Sequence, residues 1–216
     1  MMNNSVKFWD KTAESYSQQP IADEAAYQKK LQVTQEYFKP DMEVLEFGCG
    51  TGSTAIAHSP YVKHIQAIDF SSKMIEIAQS KAEAKNINNV TFEQLTIDEL
   101  SVGERTLDVV LGLNVLHLLD NKEEVISKVY KMLKPGGVFV TSTVCLGDTM
   151  KWFKIVRPIV KFLGLIPTVV VFTMQELSDS LTDAGFTIDY HWQPSKSISK
   201  GVFKLKGVFI VAKKAE

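Results

Sequence analysis

The stretch Val44-Leu45-Glu46-Phe47-Gly48-Cys49-Gly50-Thr51-Gly52-Ser53 constrains the fold more than any other part of this chain. A short apolar run holds an acidic residue near its end and gives way to glycines at alternate positions. The apolar run reads as a buried parallel strand. The glycines read as a tight turn in which the backbone approaches a ligand, because a Cβ there would collide or block a positive φ. Ser53 to His58 continues in a helical pattern, with Ser53 or Thr54 available as its cap. Strand, glycine turn and helix together make the ligand-binding corner of a doubly wound α/β fold.

A chain of 216 residues suffices for one well-buried α/β domain and is short for two. Its net charge of -1 argues against a nucleic-acid surface by bulk charge. The cysteines, Cys49 and Cys145, form no CxxC pair, so metal-site spacing is absent and reduced thiols in a cytoplasmic protein are expected. Met1 to Lys11 lacks the apolar run of a secretory signal, and no stretch of about 18 uninterrupted apolar residues suggests a membrane span.

No repeat or low-complexity stretch is present, and residues 1–216 read as a single domain. Residues 1–39 are helical in pattern, with Leu31, Thr34, Gln35 and Phe38 at helix spacing and Pro40-Asp41 as the stop; they form an N-terminal helical cap. In the core, 40–145, the further strands are His64 to Asp69, Val90 to Gln94, Leu107 to Leu113 and Val138 to Val144. Ser71 caps a helix to Lys85. Asn121 caps one to Leu133, which Pro135-Gly136-Gly137 then breaks. Residues 146–172 interrupt the alternation as an insertion. Residues 173–216 supply a helix, with Thr173 and Glu176 spaced as a capping box, and two strands, Phe186 to Trp192 and Val202 to Lys213, pairing antiparallel at the sheet edge. The alternation implies a parallel sheet covered on both faces. It gathers the glycine turn, Asp69 and the loop after Leu113 at the carboxyl ends of adjacent strands.

Asp69 ends its strand about 20 residues beyond the turn, where a carboxylate can accept hydrogen bonds from both hydroxyls of a ribose. That spacing fits a dinucleotide or an adenosyl cofactor, and Gly50-x-Gly52-x-x-Ala55 satisfies the dinucleotide pattern. Other features favour the adenosyl type. Glu46 stands two residues before the turn, where a carboxylate suits an ammonium group better than a pyrophosphate; a helical segment precedes the first strand; and two strands follow the last helix.

Three motifs lie in order: Val44 to Gly52, Ile68-Asp69-Phe70-Ser71-Ser72-Lys73-Met74, and Leu133-Lys134-Pro135-Gly136-Gly137. Through them the chain resembles the class I S-adenosylmethionine-dependent methyltransferases. Phe8-Trp9-Asp10-Lys11-Thr12-Ala13-Glu14-Ser15-Tyr16 is similar to the N-terminal pattern of the small-molecule enzymes of ubiquinone and menaquinone biosynthesis. The resemblance implies a Rossmann-like, doubly wound seven-stranded mixed sheet with an antiparallel C-terminal strand, an N-terminal helical lid and a helical insertion before the last helix. It implies S-adenosyl-L-methionine as cofactor. Glu46, Gly48 and Gly50 would surround the methionine moiety, with Cys49 and Gly52 in the same turn. Asp69 would bind the ribose, and Phe70 would lie against the adenine, with Met74 in the helix that follows. Ile97 would sit beside the adenine and Asn114 near the methionine end. Tyr16 and Tyr27 would close over the site as a lid. The family often places an acidic residue directly after the third strand; here Thr96 holds that position, with Asp98 two further on, so the adenine contact would carry no charge.

Methyl transfer from a sulfonium needs an in-line nucleophile, and the protein aligns and desolvates the partners. A base is required only for a protonated nucleophile; His117, near the end of the fourth strand, is the candidate. His191 reads as a surface residue, His58 and His64 as structural, and no set of residues has metal-ligand spacing. Tyr130-x-x-x-Lys134 matches a reductase pair, but it precedes the fifth strand where reductases place it after. Residues 149–172 are rich in large apolar side chains, with Lys151, Lys154, Arg157 and Lys161 interleaved. They suit an apolar or lipid-like acceptor or peripheral membrane contact, or simply a helix packed on the sheet. The expectation is a methyltransferase acting on a small apolar or aromatic molecule. A non-catalytic S-adenosylmethionine-binding protein and a nicotinamide-dependent oxidoreductase are the alternatives.

Overall fold

The computed structural model describes residues 2–148, 169–194, 198–200 and 203–216. Most of the expected insertion, including Lys151, Lys154, Arg157 and Lys161, lies outside the described residues. The elements are α1 (Met2–Ser17), α2 (Glu24–Gln35), β1 (Glu43–Phe47), α3 (Ser53–His58), β2 (His64–Asp69), α4 (Ser72–Ala84), β3 (Val90–Gln94), β4 (Leu107–Leu113), α5 (Lys122–Met132), β5 (Leu133–Val144), α6 (Met174–Asp183), β6 (Phe186–Trp192), β7 (Ile198–Lys200), β8 (Phe203–Leu205) and β9 (Gly207–Lys214).

Seven strands form one mixed sheet in the order β3-β2-β1-β4-β5-β9-β6. β1 runs parallel to β2 and β4, and β5 parallel to β4; β9 is antiparallel to both β5 and β6. Leu45, Val110 and Leu111 are fully buried, as parallel strands covered on both faces require, and each such side chain contributes about 2 kcal/mol. On one face Leu177 and Leu181 of α6 pack with Val125, Ile126 and Val129 of α5. On the other, Val33 of α2, Ile56 of α3 and Ala78 of α4 pack against the sheet. Gly112 makes room for the stacked pair Phe47 and Phe139, since a Cβ there would lie 2.5 Å from the Phe47 ring. Among the described residues no helix is long and apolar enough to cross a membrane.

Several local features differ from the sequence reading. The N-terminal cap is broken between Ser17 and Glu24 around Pro20, and α2 stops at Gln35, short of Pro40. Neither Ser53 nor Thr54 caps α3: the capping residue is Gly52, in the left-handed conformation with φ 73°. Asn121 stands at the start of α5, but its side-chain amide donates to Asp98 Oδ1 at 3.0 Å instead of accepting from the helix. Pro135-Gly136-Gly137 does not separate helix from strand. β5 already pairs at Leu133 with Leu107, and the extra residues form an irregularity opposite Asp108, which Lys134 clamps at 2.8 Å. The expected strand Val202 to Lys213 is divided. β9 pairs with β5 only as far as Val144 opposite Gly207, and β8 pairs instead with β7.

Candidate active site

The turn after β1 is built by steric necessity. A Cβ at Gly48 would lie 2.6 Å from Val115, and one at Gly52 would lie 2.7 Å from Ala78 and the Phe92 ring. Gly50 is different: its φ is 53°, yet no atom lies within 4 Å of where its Cβ would be. The first two positions let the turn pack down, and Gly50 presents bare backbone to open space. Lys81 of α4 braces the outside of the turn, donating to Thr51 Oγ1 at 2.8 Å.

Asp69 is held from two sides. Gly50 N–H donates to Oδ2 and Ser71 N–H to Oδ1, each at 2.9 Å. The carboxyl is 7% exposed, and burial raises its pKa while the two N–H groups pull it back. Each oxygen keeps acceptor capacity for a further donor. Ser71 also caps α4, accepting from Met74 N–H at 3.2 Å, and donates to Asp10 Oδ1 at 2.6 Å. Asp10 therefore ties α1 to the start of α4, a role the sequence reading missed although Asp10 lies inside the quoted N-terminal pattern. Tyr16, on the same helix, is half-exposed and packs edge-on against Trp9; its partial burial and the nearby Asp69 charge raise its phenol pKa.

Glu46 is 3% exposed. A backbone hydrogen bond at Ala55 serves it, but Oε2 is buried with no partner. Burial, with Asp69 adding to it, pushes its pKa up to about 8. The same surroundings hold the Cys49 thiol well above its usual range. Tyr27 of α2 hydrogen-bonds the Thr54 side chain and lies close enough to Glu46 to sense its charge.

At the ends of β4 and β5, Asn114 is exposed with φ 56°, and its N–H donates to Ser142 C=O at 2.6 Å. Ser142 Oγ donates to Asn114 Oδ1 at 3.4 Å and accepts from Lys30 Nζ of α2 at 3.0 Å. Nothing in the local sequence marked Lys30. His117 lies in the short turn Leu116–Leu118, with Nδ1 3.0 Å from Thr143 Oγ1. Ser142 and Thr143 alternate across β5, so Lys30 and His117 approach it from opposite faces.

The remaining expected residues are more widely spread. Phe70 is half-buried directly after Asp69, and Met74 is buried in the first turn of α4. Thr96 donates its hydroxyl to Glu99 Oε2 at 2.7 Å, and Ile97 is buried with Leu100 and Val115. His58 is fully buried, His64 bonds Thr91 at 2.8 Å, and His191 is exposed. Lys134 is engaged with Asp108, at the opposite end of the strands from the turn.

A family model described as "Methyltransferase domain" matches residues 38–205. An uncharacterized methyltransferase, YcgJ of Bacillus subtilis, is 30% identical over 64% of this chain and 54% of its own length. Malonyl-[acyl-carrier protein] O-methyltransferase of Priestia megaterium is 30% identical over 82% of this chain and 63% of its own. The chain thus spans less than two thirds of either relative. A crystal structure of YcgJ from Bacillus subtilis shares the fold with a TM-score of 0.71 at 19% identity, covering 88% of this chain and 99% of that one.

Proposed function

The chain belongs to the methyltransferase domain family, and on that footing we propose that it transfers the methyl group of S-adenosyl-L-methionine to a small acceptor with an apolar or aromatic body. One observation carries the reading: Glu46 Oε2 is buried and unpartnered beside a turn whose Gly50 leaves open space. Burying an acceptor oxygen without a partner costs about 1–3 kcal/mol, and a cationic ligand group offsets that cost.

The residues fit the cofactor. Glu46 would take the ammonium of its methionine moiety. The open space at Gly50 would admit it, and Asp69, already fixed by the Gly50 and Ser71 N–H groups, would accept from the ribose hydroxyls. Phe70 would lie against the adenine. Tyr16 and Tyr27, on α1 and α2, would close over the site and exclude water. When bound, S-adenosyl-L-methionine supplies a methyl group activated by its sulfonium. The protein's share is alignment and desolvation, and His117 would take a proton where the acceptor carries one.

Calorimetric titration with S-adenosylhomocysteine, run beside NADH, tests this. The expected result is a Kd of micromolar order for S-adenosylhomocysteine and no binding of NADH. Asp69→Ala and Gly50→Val should each abolish that binding while the far-ultraviolet circular dichroism is unchanged. NADH binding in its place, or unaltered affinity in both variants, overturns the reading.

A further inference from the structure

Among the described residues, Lys30 is a cation with no anion in ion-pair reach. It lies on the inner face of α2, one turn after Tyr27, and at i and i+3 the two side chains share a face. Tyr27 reaches the β1 side of the site, at Thr54 and Glu46. Lys30 reaches Ser142 near the end of β5. β4 lies between β1, which carries Glu46, and β5, which carries Ser142, so those two strands stand two spacings apart, about 10 Å. α2 therefore bridges the strand ends from the Glu46 corner to the far side of Asn114.

The Lys30 ammonium has three N–H donors and one hydrogen-bonded partner among the described residues, the Ser142 hydroxyl at 3.0 Å. No carboxylate stands within ion-pair distance of it among the described residues; Asp23 acts on it only from further off. Burial lowers its pKa. Holding an ammonium half-buried against a neutral hydroxyl carries a desolvation cost that a ligand's negative charge would offset. Of the groups assigned to the cofactor, Glu46, Gly50 and Asp69 belong to the β1 and β2 side and Asn114 follows β4; Lys30 meets the sheet one strand further out, at Ser142 of β5, which places it toward the acceptor side.

We propose, resting on the methyl-transfer reading above, that Lys30 and Ser142 form the acceptor-recognising end of the site and take an anionic oxygen, a carboxylate or a phenolate, carried on an otherwise apolar molecule. Lys30 supplies the charge. Ser142 Oγ, by turning its proton away from the long 3.4 Å contact with Asn114 Oδ1, donates the second hydrogen bond. The exposed, left-handed Asn114 marks the edge of the subsite. Lys30 is a binding residue here and donates no proton to the reaction.

The test uses protein saturated with S-adenosylhomocysteine, titrated with matched neutral and anionic probes: octanoate against octanamide, and 4-hydroxybenzoate and 4-nitrophenolate against 4-hydroxybenzamide. The wild-type complex should bind at least one anionic probe about tenfold or more tighter than its neutral partner, the size expected for a hydrogen bond to a charged group. Lys30→Met should abolish that preference, Lys30→Arg should keep it, and both should keep their affinity for S-adenosylhomocysteine and their thermal midpoint. Selectivity that survives in Lys30→Met, or equal affinity for charged and neutral probes in the wild type, overturns the proposal. So does a comparable loss of S-adenosylhomocysteine affinity in Lys30→Met alone, which assigns Lys30 to the cofactor carboxylate. Failure of the wild type to bind S-adenosylhomocysteine is a separate result: it removes the methyl-transfer reading, and the proposal falls with it.

Discussion

At the scale of single residues, Glu46 carries the most stored electrostatic cost. Its pKa of about 8 in the ligand-free protein means the carboxyl is mostly protonated at pH 7. Pairing with an ammonium requires the carboxylate, so ligand binding must lower that pKa and release a proton. Affinity for S-adenosylhomocysteine should therefore climb as pH rises from about 6 to about 8, with release approaching about one proton per site at pH 7. Calorimetry in phosphate and in Tris, whose ionisation enthalpies differ, reads that proton directly. The same burial destabilises the empty fold: a carboxyl raised from its ordinary value contributes stability below that value and loses it as pH rises through 8. Glu46→Gln removes the titration. It should raise the stability of the ligand-free protein at pH 7 by about 1–3 kcal/mol while lowering ligand affinity and ending the proton release. A variant that is neither stabilised nor weakened in binding would remove the ammonium assignment.

At the scale of elements, α1 packs on α4 rather than on the sheet, and the Asp10 side chain adds a hydrogen-bonded tie to that contact. Asp10 Oδ1 accepts from Ser71 Oγ at 2.6 Å and from Lys73 N–H at 3.4 Å, so α1 is held to the N-terminal turn of α4. A carboxylate is favoured there by the exposed N–H groups of that turn. Asp10→Ala should loosen α1 at a cost of about 1 kcal/mol in global stability. It should weaken S-adenosylhomocysteine binding several-fold, because Tyr16 would no longer be held near Asp69, and it should speed proteolysis around Pro20. Binding and cleavage equal to wild type would show that α1 is no lid. The elements themselves were readable to differing degrees. The buried strands announced themselves as short apolar runs, and Ser71 and Thr173 cap their helices as the sequence implied. Gly52 was misjudged because a serine and a threonine follow it. The choice fell to packing: only a residue without a Cβ clears Ala78 and Phe92.

At the scale of the whole molecule, the least legible features are those that join distant parts of the chain. Glycine turn and Asp69 were readable because both end adjacent parallel strands, and strand order follows from alternation. Lys30 and Ser142 are separated by 112 positions, and nothing in either neighbourhood names the other. His58 belongs to the same class. It is fully buried where α3 meets α2, edge-on to Phe38 at 5.0 Å, with its Nε2 unpartnered. Desolvation lowers its pKa to about 4, against about 6.5 when the chain is unfolded. Between those values the unfolded chain binds the proton and the folded one does not. Stability is therefore intact above about 6.5 and falls as pH drops toward 4. Glu46 shifts the other way and partly compensates over the same range, so the contribution of His58 is read as a difference. Denaturant unfolding of wild type and His58→Leu at pH 7 and pH 4.5 provides it. The leucine variant should gain on the wild type by about 2–3 kcal/mol on acidification. A constant difference across that range would mean that His58 accepts its proton within the fold, and that α3 opens to let it do so.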